Sequence, residues 1–109
     1  MVARAIINHA SISRVVINID GDRLALSGVL NYESVLDVDQ QGQAWLKGPA
    51  PAECNLDLDM VTYSTSAGIA LLLGWLRIAT QQKKSLRIQK LPENMAALAK
   101  VCGLDDFFQ

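Results

Sequence analysis

Asn55-Leu-Asp-Leu-Asp-Met-Val-Thr-Tyr-Ser-Thr-Ser-Ala-Gly-Ile-Ala-Leu-Leu-Leu73 decides how this chain folds. Leucines alternate with carboxylates up to Asp59, the period of a strand with one buried face. Three hydroxyl residues follow, Ser64, Thr65 and Ser66, and then an uninterrupted apolar run of helical character begins. A helix start carries unpaired N–H groups and partial positive charge, so a hydroxyl placed there caps it. The reading expected here is a strand over Cys54–Asp59, a hydroxyl-rich turn, and a helix from Ala67 to Gln82 capped by Ser66.

Working outward, Val15–Ile19 and Arg23–Ser27 read as a β-hairpin turned at Asp20-Gly21. Asn31 is placed to cap a first helix running to about Trp45, whose apolar stripe is incomplete and weakened by Gly42. Gly48, Pro49 and Pro51 mark Lys47–Ala52 as a connector. Ser85–Gln89 alternates as a last strand, Pro92 suits a first helical position, and Glu93–Val101 forms a third helix stopped by Gly103. Leu104, Phe107 and Phe108 are expected to fold back on the core. The order β-β-α-β-α-β-α implies an α/β fold, with a mixed sheet whose later strands, joined through helices, run parallel.

Composition narrows the classes of function. The chain has 109 residues, half of them hydrophobic and 19% charged, which suits one small folded domain. A formal net charge of −1 gives no general attraction to nucleic acid or anionic lipid. Lys83, Lys84, Arg87 and Lys90 read as a solvated helix end and strand. The longest greasy stretch, Ile69–Ala79, is interrupted by Gly74 and Arg77 and falls short of the ~18 residues of a membrane span. No secretory leader is evident, and Cys54 and Cys102 lack metal or redox spacing, so a cytoplasmic protein with reduced thiols is expected.

Catalytic constellations are missing. A serine between strand and helix invites comparison with a nucleophile elbow, but Ser64-Thr65-Ser66-Ala67-Gly68 lacks the first glycine of G-x-S-x-G. The sole histidine, His9, lies in the N-terminal segment, away from any triad order. Gly68 and Gly74 stand alone rather than in a phosphate-binding loop. One His and two Cys do not make a zinc site, and Asp57, Asp59, Asp105 and Asp106 have no placed substrate. No catalytic, metal or cofactor residue is assigned, and a non-enzymatic protein is expected.

The helix after the hydroxyl cluster carries more apolar surface than one sheet needs. Ala67, Ala70, Gly74, Arg77 and Gln81 share a narrow strip, and the remaining arc of roughly 220° is apolar, against a usual stripe nearer 100–150°. Either a neighbouring helix covers the excess or a flank of it binds another protein. In the second case Trp75, if exposed, is the natural anchor.

These features resemble the STAS domains (sulfate transporter and anti-sigma factor antagonist). The hairpin ending Leu24-Ala-Leu-Ser-Gly-Val-Leu-Asn31 is similar to the family's strand-to-helix opening, and the strand, hydroxyl turn and Gly68-Ile-Ala-Leu-Leu-Leu73 to its signature. The likeness implies one STAS domain over residues 14–109, with residues 1–13 as an N-terminal tail or extra edge strand. Leu24-Ala-Leu-Ser-Gly28, Gly68-Ile-Ala-Leu-Leu-Leu73 and Leu98-Ala-Lys-Val-Cys-Gly-Leu104 look most like the STAS subunits of Mla-type phospholipid ABC transporters. That resemblance implies a non-enzymatic subunit bound to the transporter's ATPase and, through it, to the membrane permease. It also implies a place on the cytoplasmic side of the inner membrane and a role in outer-membrane lipid asymmetry. Tyr63, Ser64, Thr65, Ser66, Ala67 and Trp75 would then carry partner contact. Anti-anti-sigma members resemble one another in a D-S-[ST]-G motif whose serine a kinase phosphorylates. Aligned on Gly68, this chain has Thr65 in place of the acid and Ser66 as the possible phosphorylation site. The alternative partner is therefore an anti-sigma factor kinase.

Overall fold

A computed structural model describes residues 15–108, apart from the side chains of Asp105 and Phe107. The elements are β1 (Val15–Asp20), β2 (Arg23–Leu30), α1 (Ser34–Lys47), β3 (Glu53–Ser64), α2 (Ser66–Gln81), β4 (Ser85–Gln89) and α3 (Glu93–Val101), then a 3-10 turn (Asp105–Phe108). The expected tail or edge strand at residues 1–13 lies outside the described residues.

The sheet order is β1-β2-β3-β4. β1 and β2 form the expected antiparallel hairpin, joined across Gly21 and Asp22 with Gly21 at φ 62°. β2/β3 and β3/β4 are parallel, as expected for strands linked through helices. Both crossovers step in the same direction along the sheet, so right-handed connections put α1 and α2 on one face. Toward that face point Leu24, Leu26, Leu30, Leu56 and Leu58, all fully buried against Leu72, Trp75 and Met95. Phe108 returns to this core, with Leu104 half-buried beside it.

β3 runs farther than the leucine–carboxylate alternation indicates, through Met60–Ser64. Its pairing with β2 shifts register between Ala25 and Ser27 and again between Gly28 and Val29. Each extra residue breaks the period of two, so a strand end resembles a polar turn in sequence.

The first helix begins at Ser34, three residues past its capping side chain. Asn31 Oδ1 accepts the N–H groups of Glu33 and Ser34, and Ser34 Oγ accepts the Asn31 N–H in return. Gly42, expected to weaken this helix, instead makes its packing possible. A Cβ at residue 42 would lie 2.1 Å from the Trp75 ring, so only glycine lets the indole lie against the α1 backbone. At the other end of α1, Lys84 Nζ donates to the carbonyls of Leu46 and Gly48. Lys83, Arg87 and Lys90 are exposed, as expected of a solvated helix end and strand, with Arg87 only loosely paired to the exposed Glu53 at 3.8 Å.

On the face away from the helices, Arg23 donates to the Asp57 carboxylate across the β2/β3 pair. The Asp57 carboxyl is held below the usual carboxylate range, first by the Asp59 N–H that donates to it and then by Arg23, against the opposing effect of burial.

Two predictions follow from this packing. Gly42→Ala should lower stability by about 1–3 kcal/mol, the range for overpacking a core, read as a reduced denaturation midpoint. For Asp57, the depressed folded-state pKa contributes stability above the unfolded value near ~3.9 and loses it as pH falls through the folded one. Melting curves should therefore separate Asp57→Asn from the natural chain at pH 6 and converge as acid protonates Asp57.

Candidate functional site

The junction between β3 and α2 gathers the hydroxyl cluster, but each hydroxyl does something different. Ser64, the last strand residue, is fully buried, and its Oγ donates to the Thr65 carbonyl at 2.8 Å. Its backbone pairs with Asn94 at the start of α3, whose carboxamide accepts the Ser64 N–H and donates to the Ser64 carbonyl. Asn94 thus takes the place of a neighbouring strand at the point where β4 has already ended.

Thr65, not Ser66, caps α2. It is extended at φ −89° and ψ −176°, and its Oγ1 accepts the Ala67 N–H at 3.2 Å. Its own backbone N–H donates to the Leu30 carbonyl at 2.9 Å, which ties the cap to β2. Ser66 is the first helical residue and its side chain is exposed. The correction has a tertiary origin. A Cβ at Gly68 would lie 2.0 Å from Ser64 Oγ and 3.2 Å from Leu30, so the helix closes tightly over Ser64, while the Thr65 N–H on the Leu30 carbonyl holds Thr65 extended at the cap position.

Trp75 is also corrected. It is 1% exposed, and its Nε1 donates to Asp39 Oδ1 at 2.9 Å, so it joins α1 to α2 inside the molecule rather than anchoring a partner. Burial likewise removes Ser64 as a contact residue. Tyr63 is half-exposed and alternates away from Ser64, onto the sheet face without helices. Ala67 is buried as well, at 4% exposed, so of the six expected contact residues only Thr65 and Ser66 remain accessible at the start of α2.

That start opens into a groove between α1 and α2 of about 290 Å³. Ala67, Ala70 and Gly74 form its α2 wall, and Tyr32, Leu36 and Asp39 stand on the α1 side. Tyr32 and Leu36 are each 72% exposed and leave apolar surface open beside the groove. Sequence reasoning passed over them, since Tyr32 lies in the turn before α1 and Leu36 in its first turn, and only the fold brings both to the groove. The excess apolar arc of α2 is otherwise absorbed. Leu71, Leu72, Trp75 and Ala79 are buried, while Leu73 and Leu76 sit half-buried on the opposite flank, near Leu104.

Chemistry at the junction is sparse. Among the described residues no three His, Cys, Asp or Glu side chains gather to hold a metal ion. Ser64 has its hydroxyl committed to a carbonyl, and among the described residues no helix is long and apolar enough to cross a membrane. The arrangement offers a capped helix start, the exposed Ser66 hydroxyl and an apolar groove.

This fold and junction define a STAS domain, and comparison with known proteins makes the family specific. The family model described as "Mlab, STAS domain" matches residues 13–109, and the chain belongs to that family. It is 32% identical over 84 residues to the intermembrane phospholipid transport system binding protein MlaB of Escherichia coli K12, covering 77% of this chain and 82% of that protein. Among solved structures it resembles a chain of the Acinetobacter MlaFEDB complex in an ATP-bound conformation, with a TM-score of 0.73 and 27% identity over 85% of this chain and 96% of the other. The unphosphorylated anti-sigma factor antagonist SpoIIAA shares the fold, with a TM-score of 0.69 and 12% identity over 87% and 85% of the two chains.

The capping assignment is open to a direct check. Thr65→Ala should cost about 1 kcal/mol in denaturant unfolding, the usual loss for a hydroxyl cap, while Ser66→Ala should stay within about 0.5 kcal/mol of the natural chain.

Proposed function

We propose that this chain is the non-enzymatic STAS subunit of an Mla-type phospholipid-transporting ABC complex, where it binds the ATPase and supports its assembly and activity. The observation that carries this reading is the groove with its exposed Tyr32 and Leu36 beside the start of α2, in a chain of the MlaB-type family. The likeness to a chain of the MlaFEDB complex supports it. On this reading the protein works on the cytoplasmic side of the inner membrane, reaches the permease through the ATPase, and serves outer-membrane lipid asymmetry.

Physically, a docked subunit alters an ATPase only if it contacts the ATPase's conformations unequally. A surface with a large apolar component and few flexible parts suits that role, because little conformational freedom is lost on binding. Thr65 and Ser66 mark one end of the contact. Phosphorylation of Ser66 is not needed for it, since Thr65 supplies the cap and Ser66 contributes only an exposed hydroxyl.

Affinity purification from the native host tests the reading, with an ABC ATPase and its membrane partners as the expected catch. Recovery of a protein kinase instead would overturn it. Ser66→Asp sharpens the test. A carboxylate in the first turn of a helix favours folding, yet inside an interface it lacks a partner and is costly to desolvate. The variant should fold at least as well as the natural chain and bind the ATPase more weakly.

A further inference from the structure

β1 is an outermost strand of the described sheet, and it carries little of what usually guards an edge strand. Val15-Val-Ile-Asn-Ile19 contains no proline and no charge, and it pairs with β2 in unbroken register, without a bulge. Its outer edge presents a row of backbone N–H and C=O groups that no other described strand meets.

Exposure along β1 falls on both faces of the sheet. Ile19 lies opposite Leu24, on the face that the helices cover, and is 43% exposed. Val16 lies opposite Ser27, on the face away from the helices, and is 58% exposed. A helix or loop laid over one face would cover one of the two and leave the other open. A strand added beside β1 borders both, because its own side chains alternate between the faces.

The sequence before β1 has the composition for such a strand. Ala5-Ile6-Ile7-Asn8 precedes the stretch matched by the family model, which begins at residue 13. Ile6 and Ile7 are adjacent and β-branched, so in a strand they point to opposite faces, as the exposed pair on β1 does. This stretch runs directly into Val15, and so short a connection returns antiparallel, since parallel strands need a crossover of about a dozen residues or more. A hairpin loop of about two to five residues before Arg14 sets Ile6 and Ile7 opposite positions between Val15 and Ile19. The same direction brings Arg4 to the far end of β1, where Asp20 stands exposed.

We propose that residues 4–8 pair antiparallel with the outer edge of β1, with Ile6 and Ile7 packed on its two faces. The occupant is this chain's own segment rather than a second copy. A tether of a few residues holds it at an effective concentration near millimolar, far above that of another molecule. The added strand closes an edge that otherwise invites pairing between molecules. This inference does not rest on the ATPase reading.

Hydrogen exchange resolved by residue in NMR spectra of the full chain tests it, with sedimentation measured on the same samples. Alternate amides of an edge strand exchange rapidly, whereas those of a strand paired on both sides are protected. Every amide from Val16 to Ile19 should exchange at least about tenfold more slowly than unstructured peptide, and the chain should be a monomer. Cross-strand proton contacts should link residues 4–8 to β1. Ile6→Asp with Ile7→Asp should speed the outward β1 amides at least about tenfold and promote self-association, while β3 and α2 stay protected. Ile6→Val with Ile7→Val keeps the branched shape and should leave exchange within about twofold.

Rapid exchange at alternate β1 amides in the natural chain would overturn the proposal without any variant. Protection that fades on dilution as a dimer dissociates would also overturn it, because a second copy would then hold the edge. So would protection that survives the double aspartate change. Should that variant fail to fold, absence of the cross-strand contacts in the natural chain would overturn the proposal equally.

Discussion

Enclosure of Ser64 is the constraint on which the rest of this structure depends. A buried hydroxyl and two buried backbone groups must all find partners, or each costs about 1–3 kcal/mol. Thr65 supplies the carbonyl for the hydroxyl, and Asn94 supplies both partners for the backbone. Gly68 completes the enclosure by leaving room for the Oγ under α2. One residue thereby fixes the start of α2 against β2 and β3 and the start of α3 against β3. α1 is then placed by α2, through the Trp75 indole on Gly42 and its hydrogen bond to Asp39.

Much of this was legible in sequence where a single element decides its own form. Ser85–Gln89 and Glu93–Val101 have the bounds their periodicity indicates, because alternation and helix stop signals are local. The hairpin was equally local, closed by a turn that glycine makes possible. The parallel pairing of β2, β3 and β4 followed from helices placed between them.

Features set by two elements at once were not legible. Residues 60–64 have the composition of a turn, and only the register shifts against β2 show why they continue the strand. Three consecutive hydroxyls could each have capped α2. Thr65 is the one whose backbone is tied to β2, through the Leu30 carbonyl, a long-range contact that no local capping rule weighs. Gly42 looked like a weakness because its partner, Trp75, is on another helix. Trp75 looked like a surface anchor for the same reason: a helical wheel orders residues around an axis without saying which arc a neighbour covers. The candidate groove was hidden too, since it is built from both helices.

These same contacts govern how the surface can act. A side chain buried against a helix backbone and hydrogen-bonded across to a carboxylate has little freedom, so α1 and α2 hold a fixed separation. Their groove is therefore preformed, and a partner need not spend binding energy on assembling it. Preformation also limits what a partner can do in return. A rigid groove fits one arrangement of an opposing chain better than others, and that difference in fit is what would shift the opposing chain's conformational balance. The division is visible within the junction itself. Ser64 is withdrawn into the fold to hold three elements, while Thr65 completes the helix, and Ser66 alone is left facing outward. The structural roles thus fall to Ser64 and Thr65, so the outward hydroxyl of Ser66 is free to vary in chemistry without disturbing the two that maintain the fold.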